Sequence, residues 1–161
     1  MSASSMATFI EKMQDASIGI ISCLRADLLR VGALVASSGL RPEHMEQKLG
    51  LMLEVLMDMW RNGQEFDYIE FLQRFRAKGA QIDGFKEAIR SILYAEGVAA
   101  EYHISTLLSC NAARKMHEIG SRMMARALDP VQDTEELLDE SRKSLLAISV
   151  TPVEEATSIS R

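Results

Sequence analysis

Residues 127–148 read ALDPVQDTEELLDESRKSLLAI, and the way this stretch continues from the residues before it decides the fold. Asp129-Pro130 ends one helical pattern, because proline has no amide hydrogen to donate and holds the preceding residue away from helical geometry. Asp133-Thr134-Glu135-Glu136 opens another, since an aspartate accepts from the free amides of a first turn and acidic residues there suit the helix dipole. Leu137, Leu138, Leu145 and Ile148 then recur as a narrow apolar stripe and are expected to be buried. Two helical segments joined by so short a turn make an αα-hairpin.

Toward the N-terminus, Ala99 to Leu128 reads as one long helix that changes its buried side. Ile104, Leu107 and Leu108 cluster on one side, whereas Ala112, Met116, Ile119, Met123 and Ala127 lie roughly opposite, and Asn111, Arg114, Lys115, Glu118, Arg122 and Arg126 take over the first side. The first half is therefore expected to seal a globular core, and the second to leave it and pair with residues 133–148. A two-helix arm cannot cover all its apolar surface by itself, so a matching surface on a second chain is expected. Pattern alone leaves open a second packing, in which both segments are ordinary core helices of a bundle.

The rest of the chain is helical in pattern. Only three prolines occur, and no stretch alternates with the period of a strand. After a polar start at Met1 to Ser5, helical pattern runs from about Ala7 to Val35 with a break expected near Asp15, and Ser37-Ser38-Gly39 ends it. From Glu43 to Arg61, Met45, Leu49, Met52, Leu53, Leu56 and Trp60 share a broad face with Glu54 and Asp58 opposite, the pattern of a helix at the centre of a small core. Asn62-Gly63 stops it. In FDYIEFLQRFRAKG (residues 66–79), Asp67 and Glu70 are spaced for a reciprocal capping box and Phe66 for a hydrophobic staple onto Phe71. Asp83 is expected to cap a further helix through about Tyr94, and Gly97 to break the pattern again.

Composition limits what such a chain does. At 161 residues and 47% hydrophobic it suffices for one domain with a real core. A net charge of −5 argues against a dedicated nucleic-acid clamp, which needs surplus Lys and Arg, so DNA contact is expected only indirectly. Cys23 and Cys110, with no closely spaced Cys or His partner, read as free thiols of a reducing compartment. Charged residues interrupt every apolar run before bilayer length, and no targeting segment is visible, so a cytoplasmic protein without membrane contact is expected.

Catalytic patterns are missing from the sequence. His44, His103 and His117 have no Glu or Cys at metal-ligand spacing, and no nucleophile elbow or G-x-x-x-x-G-K-[ST] phosphate loop occurs. No catalytic, metal or cofactor residue is therefore assigned, and ATP hydrolysis is not expected of this chain.

The run RKMHEIGSRMMARALDPVQDTEELLDESRKSLLAI (residues 114–148) resembles the hairpin that ends the N-terminal domain of bacterial replicative helicases of the DnaB type. The family pattern is approximately R-x-L-x-x-x-G-x-x-I-x-x-x-A-x-D-P followed by an acidic residue and E-E-L-L-D-x-A-E. Arg114, Met116, Gly120, Met123, Ala127, Asp129 and Pro130 fall in that order, as do Glu135 to Asp139. Upstream, IGIISCL, LRPEHM, LEVLMDMWRNGQEFDYIEFLQRFRAKG and AEYHISTL are similar to successive elements of the same domain, so the likeness extends from about Ala16 to Ile148. The chain departs from the family where Met45 to Lys48 replace an H-R-x-I-F element, and where Asp83-Gly84-Phe85 and Ala88 stand for G-G-x-x-Y-L.

The resemblance implies an all-α fold: a compact helical N-terminal body followed by a protruding αα-hairpin; the RecA-type ATPase domain that follows it in such helicases is not expected in this chain, since no phosphate-loop motif occurs. It divides the chain into a partly helical extension at 1–15, a body at 16–98, a long helix with hairpin at 99–150, and a tail or linker at 151–161. It further implies an oligomerisation and docking module of DNA replication that forms dimers through the hairpin or a hexameric ring, with replicative helicase, primase or loader as partners. Candidate interface residues are Arg114, Met116, Met123, Met124, Arg126, Leu137, Leu138 and Leu145. Three readings of such a chain stay open: the leading part of a longer helicase, a separate loader or inhibitor of one, and the related helicase-binding domain of primases. A regulatory or small-molecule-binding helical protein without a replication role is the alternative from a different class.

Overall fold

The computed structural model describes residues 3–79 and 99–148. The expected helix from Asp83 to Tyr94, the break at Gly97 and the tail from 151 lie outside the described residues. Those described form helices α1 (Ala3–Ala26), α2 (Leu28–Ser38), α3 (Gln47–Arg61), α4 (Tyr68–Gly79), α5 (Ala100–Ala127) and α6 (Thr134–Leu146), with a short 3-10 turn at Pro42–His44 and no strand. The chain falls into two compact units, Met1–Leu107 and Leu108–Arg161.

In the first unit α3 is the axis. Leu49, Met52, Leu53, Val55, Leu56, Met57 and Met59 are all buried, so the helix is enclosed on almost every side. α1, α2, α4 and the 3-10 turn pack around it. α1 contributes Ala16, Ile20, Ile21 and Leu24, α2 contributes Leu28, Val31 and Val35, and α4 contributes Phe71 and Phe75, whose ring centroids are 6.0 Å apart. Two glycines let backbone approach closely. A Cβ at Gly32 would stand 2.3 Å from Cδ1 of Trp60, whose indole Nε1 donates to the Leu29 carbonyl at 3.2 Å. A Cβ at Gly50 would stand 2.5 Å from the Pro42 carbonyl oxygen.

Local signals place most helix ends. After α3 the Gly63 amide donates to Trp60 O and the Gln64 amide to Met59 O, with Gly63 at φ 69°, the paired bonds of a glycine-terminated helix. Asp67 Oδ1 accepts from the amides of Ile69 (2.9 Å) and Glu70 (3.1 Å), and Phe66 meets Phe71 with ring centroids 5.7 Å apart. The reciprocal half of the capping box does not form. Glu70 accepts instead from Arg74 and from the Gln64 side-chain amide, because a charged donor one turn ahead outcompetes a backbone amide behind.

Two expected boundaries move. α1 starts at Ala3 and runs straight through Asp15, and the break falls at Asp27, whose φ/ψ of −149°/77° is not helical and whose Oδ1 accepts from the Arg30 amide. The segment expected to begin at Glu43 becomes helical only at Gln47. Pro42 seeds the 3-10 turn instead, and Met45 is extended at φ −113° and ψ 165°.

Across the surface of this unit, Lys78 of α4 donates to Glu54 and Asp58 of α3 at 2.9 Å each, and both hydrogen bonds raise its pKa above the ordinary lysine value. The first turns of α5 belong to this unit and bury Ala100, His103, Ile104 and Leu107.

A candidate protein interface on the helical hairpin

The second unit holds the rest of α5, a tight turn and α6. Asp129 organises the turn: its amide donates to Arg126 O, its carbonyl accepts from the Gln132 amide, and its Oδ1 accepts from the Val131 amide at 3.0 Å. Asp133 caps α6 by accepting from the Glu135 amide at 3.0 Å, as its place before Thr134 requires. Glu135 and Glu136 in the first turn and Lys143 in the last match the helix dipole. Across the pair, Arg126 reaches Glu140 and Gln132.

The interior of this hairpin is thinner than its sequence suggests. On α5, Ala112 and Ile119 are buried and Met123 is half-buried; Met116 and Ala127, expected on the same inner stripe, are open. On α6 only Leu137 and Ser141 are buried, with Ser144 and Ile148 half-buried beyond them. Leu138 and Leu145 do not point inward as expected and are 53% and 45% exposed. The inner row of α6 is thus Leu137, Ser141, Ser144, Ile148, two of whose members are serine. Small side chains there fill little of the space between the helices, so the interior of the hairpin is held chiefly by Ala112, Ile119 and Leu137.

The open apolar residues are ordered. At about 100° per residue, Ala113, Met116, Gly120, Met124 and Ala127 lie roughly a quarter turn beyond the inner row of α5, in the direction of chain advance. Leu138 and Leu145 lie a quarter turn beyond the inner row of α6 in the same sense. Because the helices run antiparallel, that displacement carries both rows to the same side of the hairpin. The opposite side carries Lys115, Glu118 and Arg122 from α5 with Glu136, Glu140 and Lys143 from α6, all exposed. The Arg126 to Glu140 ion pair bridges the helices along that charged side, which checks the assignment independently. One side of the hairpin is therefore apolar and the other charged. On the apolar side, Met116 is 49% and Met124 74% exposed, and a Cβ at Gly120 would meet nothing within 4 Å.

The residues singled out from sequence divide accordingly. Met116, Met124, Leu138 and Leu145 come together on the open apolar side; Leu137 is interior and Met123 half-interior; Arg126 is engaged within its own chain, and Arg114 donates to the Asn111 side chain at 3.2 Å. Ala113, Gly120 and Ala127, which line the same side, were not among the interface residues expected from sequence: Ala113 was not singled out, Gly120 entered only through the family pattern, and Ala127 was expected inside. Their seven-residue spacing was the available signal.

Among the described residues no group of three or more His, Cys, Asp or Glu is placed to hold a metal ion, and no helix is long and apolar enough to cross a membrane.

These features define an all-helical domain that closes in an antiparallel helical hairpin. The fold is that of the N-terminal domain of a DnaB-type helicase. The crystal structure of that domain from Mycobacterium tuberculosis superposes with a TM-score of 0.67 at 18% sequence identity, covering 83% of this chain and 97% of the neighbour. At that identity the likeness is one of fold. No protein-family model matches the chain, and no curated protein sequence matches it either.

Proposed function

We propose that this chain is a non-catalytic assembly and docking module of DNA replication, of the kind that forms the collar of a replicative helicase, and that it associates with a second copy through the apolar side of its hairpin. The observation that carries the proposal is the open row of Met116, Met124, Leu138 and Leu145 on a domain with the DnaB N-terminal fold. Association in dimers that complete a ring, and docking of primase or a loader, extend the same reading.

Magnitudes set its limits. Fully burying a Leu or Met side chain stabilises by roughly 1.5–3 kcal/mol, and each of these four is already partly covered, so about 1 kcal/mol apiece is the realistic gain. Four on each copy make eight in a pair, on the order of 10 kcal/mol gross, comparable to the cost of lost rigid-body freedom. A lone hairpin pair should therefore be of modest affinity, and a ring of several contacts would gain by avidity. The charged side adds orientation more than strength, because exposed ion pairs contribute about 0–1 kcal/mol.

Sedimentation velocity over a concentration series tests the reading. Wild-type protein should move from monomer to dimer or larger species, and Leu138→Glu together with Met124→Glu should hold it monomeric without loss of helix content. A strict monomer at the highest concentration removes the assembly role. Capture assays with purified replicative helicase and primase separate docking from self-association.

A further inference from the structure

Among the four residues that the first turns of α5 bury in the body, one is a histidine. The His103 ring lies so close to Gly19 of α1 that a Cβ added there would stand 2.3 Å from Nε2, 2.4 Å from Cε1 and 2.6 Å from Cδ2. The ring occupies the notch that the missing methyl group leaves. His103 is 9% exposed, and its buried Nε2 has no hydrogen-bond partner. A buried ring nitrogen without a partner is uncommon, and its cost rises steeply once the ring carries charge.

Among the described residues no carboxylate forms an ion pair or hydrogen bond with the His103 ring. On α1, Asp15 and Cys23 lie one turn either side of Gly19, and burial pushes the Cys23 thiol up, keeping it neutral. On α5, Glu101 is held by Arg30 of α2 at 3.8 Å, and the Tyr102 ring meets the imidazole edge-on at 5.8 Å. Burial alone acts on the basicity of His103, and it lowers the pKa below the ordinary histidine value.

We propose that His103 is an acid-released latch: neutral, it fills the Gly19 notch and fixes the first turns of α5 to α1; protonated, it leaves the notch and those turns come free. The sign follows from linkage. The folded pKa lies below the unfolded value of 6.5, so the latch is fully closed above about pH 6.5 and weakens as pH falls toward the depressed folded value. At pH 5 the protection it provides can drop by at most about 30-fold, the limit set by the unfolded value.

Hydrogen exchange on the whole chain, corrected for intrinsic rates and followed for peptides covering residues 16–24 and 99–107, tests the latch. Both peptides should lose protection together between about pH 7.5 and pH 5 by up to that factor. His103→Phe, which keeps a ring in the notch that cannot take up a proton, should flatten the profile. In wild-type protein, the imidazole resonance of His103 should titrate below 6.5. Parallel losses of protection in wild type and His103→Phe, or an imidazole that titrates at or above 6.5, would overturn the proposal.

Discussion

α3 and α6 carry four leucines each, and those leucines end in opposite states. α3 buries seven apolar side chains and shows water little beyond Glu54, Asp58 and its ends, whereas α6 buries one leucine and one serine and leaves Leu138, Leu145 and Leu146 open. The difference lies in the number of neighbours. α3 is ringed by α1, α2, α4 and the 3-10 turn, while α6 shares its unit with α5. A helix offers a whole circumference, and one neighbour covers only one side of it. Leucine count therefore does not measure a core; a second surface opposite each leucine does.

Truncating a leucine in each region gives the largest contrast. Leu53→Ala, in the fully enclosed α3, should cost about 2–5 kcal/mol through lost burial and the cavity left behind, read from urea unfolding of dilute protein. Leu138→Ala should change the stability of the monomer by less than about 0.5 kcal/mol and instead shift the concentration at which the chain self-associates. Equal unfolding costs at the two sites would erase the distinction between the regions.

Glycines sharpen the contrast because the same substitution should change sign. Gly32→Ala drives a methyl group into the Trp60 ring and should destabilise by about 1–3 kcal/mol. Gly120→Ala meets open space in mid-helix and should stabilise the isolated monomer by about 0.5–1 kcal/mol, while keeping a second copy from approaching closely. Thermal melts at low concentration check the first pair of signs, and sedimentation checks the last.

The smallest effects belong to the ion pairs, and here the regions should agree. Lys78→Met in the body and Arg126→Met in the hairpin should each cost about 1 kcal/mol or less, shrinking further in high salt. The Lys78 contribution has a defined pH window: its pKa is raised by Asp58 and Glu54, so it is present below the unfolded value of 10.5 and disappears as pH rises through the raised folded value. Melts of wild type and Lys78→Met should converge in strong alkali.

Features decided within a single turn were readable from sequence. Asp133 and Asp67 cap helices, Asn62-Gly63 ends one, and Phe66 staples Phe71, because each needs only residues a few positions apart. The fold was legible through the order and spacing of many such elements. Glu70 was misread because its choice between its own backbone and Arg74 depends on rotamers that spacing does not reveal. Of the candidate interface, Met116 and Met124 were legible as apolar residues on a helix without enough neighbours. Ala113 and Gly120 were not expected at the interface because small side chains carry little hydrophobic signal, although their smallness would let another chain come near.

The amino-acid sequence alone determined that the described chain is helical and where most of its helices stop, since dihedral preference and capping are properties of neighbouring residues. Only the tertiary structure decided that α1 breaks at Asp27, that His103 fills the Gly19 notch, and that Leu137 rather than Leu138 or Leu145 faces inward. Each of those outcomes depends on what a distant segment places opposite a side chain. Periodicity can rank the faces of a helix, but it cannot say which of them is covered.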